Sequence, residues 1–106
     1  VKHHTRVYTR FFNISEGEYS PCERCIITRA TPIKAATVIH HTEFRGMGGD
    51  QTEDKEKDDI TKLAGLCGKC HDIVEKYPEE NEALKEWCLR LDDRLKCLKL
   101  IMFKGI

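Results

Sequence analysis

No stretch of this chain approaches the roughly 20 consecutive apolar residues that a membrane-spanning helix requires, so no membrane partner is expected. No apolar segment follows the early basic residues Lys2, Arg6 and Arg10, so no signal peptide is expected either. Excess charge of one sign is absent, because 18 Lys and Arg balance 18 Asp and Glu. That argues against a strongly basic nucleic-acid binder but leaves room for a local basic patch. Basic residues gather at both ends, the second group being Arg90, Arg94, Lys96, Lys99 and Lys104, and acidic residues dominate 50–59. With 106 residues there is no room for a second domain. A core of that size is marginal, and a structural metal is a common remedy.

What is present is a set of metal-binding side chains. Four of the six cysteines form two Cys-x-x-Cys pairs, Cys22/Cys25 and Cys67/Cys70. Two such pairs separated by a loop have the spacing of a tetrahedral zinc site. A zinc–sulfur distance of about 2.3 Å sets neighbouring sulfurs about 3.7 Å apart, which one tight turn can span. Four thiolates close the coordination sphere, so this zinc would be structural. Without an export signal, six cysteines suit a reducing compartment and metal binding better than a disulfide framework. A redox role needs a βαβ context that is not visible. Cys67-Gly68-Lys69-Cys70-His71 also has the form of a c-type haem attachment site. That reading requires export and leaves Cys22 and Cys25 unexplained. Cys88 and Cys97 lack a ligand spacing and read as packing residues.

Local patterns predict the elements around these ligands. Val7–Ile14 is rich in β-formers and is expected to be a strand. Pro21–Cys25 is expected to be a zinc-knuckle turn. Ala35–His41 reads as a strand with Ala36, Val38 and His40 on one side and Thr37, Ile39 and His41 on the other. Arg45-Gly46-Met47-Gly48-Gly49 is a turn that lets backbone approach a ligand, and 50–59 a polar loop. Ile60–Leu66 is a short return strand, and Gly68–Tyr77 a helix that stops before Pro78. A last helix opens at Pro78 or Asn81. Its apolar residues Leu84, Cys88, Leu91, Leu95, Leu98 and Met102 form a heptad seam, fit either to pack on the rest of the chain or to join two copies in a homodimer.

The histidines carry the candidate chemistry. Adjacent side chains on a strand face opposite ways, so His40 and His41 cannot chelate one metal equivalently. One can bind metal while the other faces a substrate as a base. On the following helix His71 and Glu75 are four apart and share a face.

This order resembles the zinc-bound HNH endonucleases: Cys-x-x-Cys, a strand ending Val38-Ile39-His40-His41, a glycine-rich turn, Leu66-Cys67-Gly68-Lys69-Cys70-His71, a short helix. The resemblance covers about Cys22–Tyr77. It implies an α+β fold: a single small zinc-stapled ββα-metal (His-Me finger) domain over 1–106, with its core at 22–77 and a long C-terminal helix over 78–106. It makes His40 a ligand of a catalytic divalent ion and His41 the general base, with His71 and Glu75 as further ligands. Glu75 stands where the family often has histidine, and a carboxylate there suits Mn²⁺ or Mg²⁺. Lys62 falls where the family's middle residue, usually Asn, orients the base. Lysine can donate hydrogen bonds but not accept them, so it replaces Asn only in part; Asp59 is an alternative. Arg45 is expected to reach a phosphate.

The implied activity is metal-dependent hydrolysis of DNA phosphodiester bonds, by nicking or double-strand cleavage, in the cytoplasm of a bacterial or phage-infected cell. The rival expectation is a non-catalytic zinc module that binds nucleic acid or protein. It shares the four cysteines and needs neither His41 nor Glu75.

Overall fold

The computed structural model describes residues 2–43 and 59–104. Arg45, the glycine-rich turn and the acidic stretch up to position 58 lie outside the described residues. Five helices and a two-stranded antiparallel sheet are described: α1 (His3–Phe11), α2 (Glu23–Ile27), β1 (Val38–His41), β2 (Leu63–Leu66), α3 (Gly68–Lys76), α4 (Pro78–Cys88) and α5 (Leu91–Lys104). The strands pair in the register Val38↔Leu66, Ile39↔Gly65, His40↔Ala64 and His41↔Leu63. A 3-10 turn, Ile60–Lys62, leads into β2. The β1–β2 hairpin is followed at once by α3, with one residue between.

Several expectations change; the return strand read from Ile60 begins only at Leu63. The segment predicted as a strand over Val7–Ile14 is helical as far as Phe11. Its β-formers Val7, Tyr8, Phe11 and Phe12 recur at helical spacing, and Tyr8 and Phe12 are buried on the face that α1 turns inward. Burial of that face outweighs β-propensity. The helix closes with Asn13 at φ 54°, Asn13 N–H donating to Arg10 O and Ile14 N–H to Thr9 O. The strand read from Ala35 begins only at Val38. Ala35 instead makes an isolated bridge to Pro21, beside the first cysteine.

The expected long C-terminal helix is two helices. Residues Leu89 and Arg90 break it, although neither is a Gly or Pro. The Arg94 guanidinium binds Cys88 O at 2.7 Å, taking up a carbonyl that a continuing helix would use itself. Asp92 and Asp93 favour a fresh N-terminus for α5. The break sends the two halves of the seam to different places. Leu84 and Cys88 pack with the four cysteines, Ala64, Leu66 and Val74. Leu98 and Leu95 pack with Tyr8, Phe12 and Leu63.

Between these two apolar clusters lies a buried ion pair. Arg94 and Glu23, both without exposed surface, meet at 2.8 Å. Glu23 sits inside the first Cys-x-x-Cys turn, so the pair locks α5 onto the segment that presents two of the thiols. No helix of the described residues is long and apolar enough to cross a membrane.

Candidate metal centre and histidine cleft

Each Cys-x-x-Cys pair opens a helix. Cys22 caps α2 and accepts from Cys25 N–H at 3.4 Å; Cys67 caps α3 and accepts from Cys70 N–H at 3.5 Å. In both, the first sulfur meets the free N–H groups of a helix start, where negative charge is favoured. Hairpin β1–β2 carries the second pair to the first. All four cysteines are buried, their sulfurs lie within 4.8 Å of one another, and Cys25 Sγ is 3.9 Å from Cys70 Sγ. A zinc tetrahedron needs sulfurs about 3.7 Å apart, so this donor set fits a structural metal such as zinc with little adjustment.

The electrostatics call for a cation at the centre. Burial raises the Cys22 thiol far above the ordinary range, and burial also raises Cys70, against a hydrogen bond from Arg24. Burial pushes Cys67 the same way, but N–H and thiol donors from Cys70, Cys22 and Cys25 outweigh it and leave Cys67 low. Four packed thiolates would repel one another; a divalent ion removes that conflict and deprotonates the thiols outright. Arg24 adds a positive charge at the rim, with Nη1 3.6 Å from Cys70 Sγ and Nη2 2.7 Å from Glu80.

The second site lies where β1 meets α3 and α4. His40, His71 and Glu75 each place a ligand atom within 4.8 Å of the others, a trio able to hold a metal ion. The rings of His40 and His71 stand edge to face with centroids 5.2 Å apart. On α3 the four-residue spacing sets His71 Nε2 3.2 Å from Glu75 Oε1. His40 is buried and Glu75 exposed, so the trio runs from the sheet outward to solvent. A cleft of about 380 Å³ opens over it, bordered also by His41, Thr42 and Asn81. His41 shares its strand face with Ile39, which packs towards α1, and its ring meets that of His4 at 4.7 Å. Val38, on the His40 face, packs against the cysteine cluster.

Burial holds His40 below the ordinary histidine value of 6.5, although a hydrogen bond to Asn81 works the other way; His71 lowers it further, Glu75 raises it and His41 lowers it. A neutral imidazole is the form that ligates a metal.

Asn81 is the residue that sequence reasoning missed. It projects from α4; its Oδ1 lies 2.9 Å from His40 Nε2 and its Nδ2 donates to Thr42 O at 2.8 Å. No local signal pointed to it, because its partners are about forty positions away. Lys62, by contrast, is not among the residues bordering this cleft. Its ammonium lies 3.5 Å from Glu43, while its backbone carbonyl accepts from Thr42 N–H at 2.9 Å. Asp59 is committed to capping the 3-10 turn through Thr61. Arg94 is fully buried, which withdraws one member of the C-terminal basic group from any phosphate contact.

No protein-family model, curated protein or solved structure matches the chain.

Proposed function

We propose that this protein is a metal-dependent HNH endonuclease that hydrolyses DNA phosphodiester bonds. The observation that carries the reading is the convergence of His40, His71 and Glu75 in one cleft, with His41 next to His40 on β1 and a separate four-cysteine cluster at the hairpin and α3. The pairing of a closed thiol site with a more open histidine–carboxylate site suits a division into structural and catalytic metals.

In this reading His40, His71 and Glu75 would hold the catalytic divalent ion, Mn²⁺ or Mg²⁺, for which one carboxylate beside two imidazoles is a suitable donor set. When bound, such an ion would supply Lewis acidity to the scissile phosphate. His41 accepts a proton from the attacking water as the water's oxygen bonds to phosphorus in line and the bond to the 3′ oxygen breaks; the leaving 3′ oxygen takes its proton from solvent. His40 and His41 diverge from one strand, so ligand and base address different atoms of the phosphodiester. The Lys62 carbonyl and Asn81 both grip Thr42 and so hold the backbone just beyond the base. The products carry 5′ phosphate and 3′ hydroxyl ends.

The test is incubation of supercoiled plasmid with the zinc-loaded protein in Mn²⁺, Mg²⁺ or EDTA. Metal-dependent nicking or linearisation, lost in His41→Ala while Mn²⁺ binding persists, is the expected result. A folded, zinc-containing protein that cuts with neither metal would instead support the non-catalytic zinc module.

A further inference from the structure

We propose that Asn81 is a positioning residue of the histidine cleft: its carboxamide holds His40 as the Nε2–H tautomer, so that Nδ1 is the nitrogen His40 offers to a divalent cation. The inference rests on reading His40 as a metal ligand.

Thr42 O is a carbonyl and can only accept, so the group 2.8 Å from it must be the amide nitrogen of Asn81. That orients the carboxamide and turns Oδ1, which can only accept, towards His40 Nε2 at 2.9 Å. Two acceptors do not share such a contact, so Nε2 carries the proton. A neutral imidazole has one N–H, which leaves the lone pair on Nδ1. A metal-binding histidine whose other nitrogen donates to an oxygen has its tautomer and ring orientation set by that bond. Here the oxygen comes from a separate helix, packed beside α3.

The same side chain has a second effect. His40 and Thr42 flank His41, and Asn81 binds both. A single carboxamide thus brackets the residue proposed as base and ties the end of β1 to α4. Only a side chain with a donor and an acceptor on one planar group can do both. Aspartate in its place retains the acceptor for His40 but faces Thr42 O with a second acceptor.

The tautomer is read directly from long-range ¹H–¹⁵N correlation of the imidazoles in zinc-loaded, ¹⁵N-labelled protein at about pH 8, where an ordinary imidazole is neutral. Expected for His40 is a protonated Nε2 with a lone-pair Nδ1 in the wild type, and a mixed tautomer in Asn81→Ala. In parallel, calorimetric titration with Mn²⁺ should show binding weakened by about 10- to 100-fold in Asn81→Ala. Asn81→Asp should keep the Nε2–H tautomer. If either variant fails to retain zinc and fold, the wild-type spectrum still decides. A wild-type His40 protonated at Nδ1 overturns the proposal. So do a tautomer and Mn²⁺ affinity unchanged in Asn81→Ala, and so does the absence of Mn²⁺ binding to the wild type. Failure of the nuclease reading looks different: the expected tautomer and Mn²⁺ binding with no plasmid cleavage leaves this inference standing.

Discussion

Glu23 carries its carboxylate where no water reaches it, and the surroundings answer with five hydrogen bonds. They come from the Tyr8 hydroxyl, Gly65 N–H, Trp87 Nε1–H and two nitrogens of Arg94. Arg94 spends its remaining donors on the carbonyls of Ile60, Leu63 and Cys88. A buried pair so fully satisfied is costly to break from one side, because the survivor is left as an uncompensated charge. Arg94→Met should therefore destabilise the fold by about 3–5 kcal/mol in urea or thermal unfolding. Gly65 belongs to the same network through space. A Cβ there would stand 2.9 Å from Tyr8 Oη and 3.2 Å from Ala36 Cβ, so Gly65→Ala must push Tyr8 away from Glu23. A loss of about 1–3 kcal/mol is expected from such overpacking. Cys88 shows what burial does to a thiol without a metal: it is pushed up to about 12, and its Sγ–H donates to Leu63 O at 3.6 Å. Alkylation of the native protein at neutral pH should accordingly spare Cys88 while the fold is intact.

Elements are joined here less by strand pairing than by what their ends present. The hairpin has only four residues in each strand. It is held because its start touches the first thiol pair and its end runs into the second. Zinc would then contribute to folding outright, as it does in other small domains whose ligands come from separate segments. Cys67→Ser should lose zinc and unfold, seen as collapse of the helical circular dichroism signal; a stable zinc-free variant would contradict the structural role of the site. The C-terminal segment makes the complementary point. Its seam predicts one helix, yet Leu84 and Cys88 are buried from one helix and Leu98 from the next. Leu98→Ala should cost about 2–5 kcal/mol, as for other core leucines. Of the two uses open to the seam, packing on the chain or joining two copies, the first largely consumes it, in setting α4 and α5 onto the core. A monomer in sedimentation at micromolar concentration is the outcome this packing predicts.

Across the whole molecule, the two clusters able to hold a metal ion share α3: Cys67 and Cys70 at its start belong to one, His71 and Glu75 to the other. Acid should therefore act on both. Because His40 is held below its ordinary value of 6.5, the folded state disfavours its protonated form. Its contribution to stability is complete above 6.5 and is lost as pH falls from there through the lowered folded value. Unfolding measured on either side of 6.5, for wild type and His40→Gln, isolates that contribution: the wild type should lose more stability on acidification. Mn²⁺ affinity should fall over the same range, since protons compete for the imidazole lone pairs. With no net charge to draw it to nucleic acid, any DNA affinity would rest on local phosphate contacts and weaken steeply with salt.

The candidate ligands are legible in short stretches of sequence. Two Cys-x-x-Cys pairs, a His-His strand end and a His-to-Glu helical spacing can be read directly, because these chemistries depend on short separations that secondary structure turns into geometry. The hairpin and α3 were legible for the same reason, and so was a helix start at Pro78 or Asn81, of which the fold takes Pro78. Tertiary structure decided everything that depends on distant partners. It made α1 a helix, because a buried face formed by Tyr8 and Phe12 outweighs the propensity of Val7–Ile14. It broke the last helix at a point with no glycine or proline, where Arg94 reaches Glu23 and Cys88 O together. It also brought Asn81 to His40 and Thr42 from about forty residues away. A side chain that acts through one hydrogen bond to a remote strand leaves no periodicity, spacing or composition to find, and only the folded chain puts it at the site.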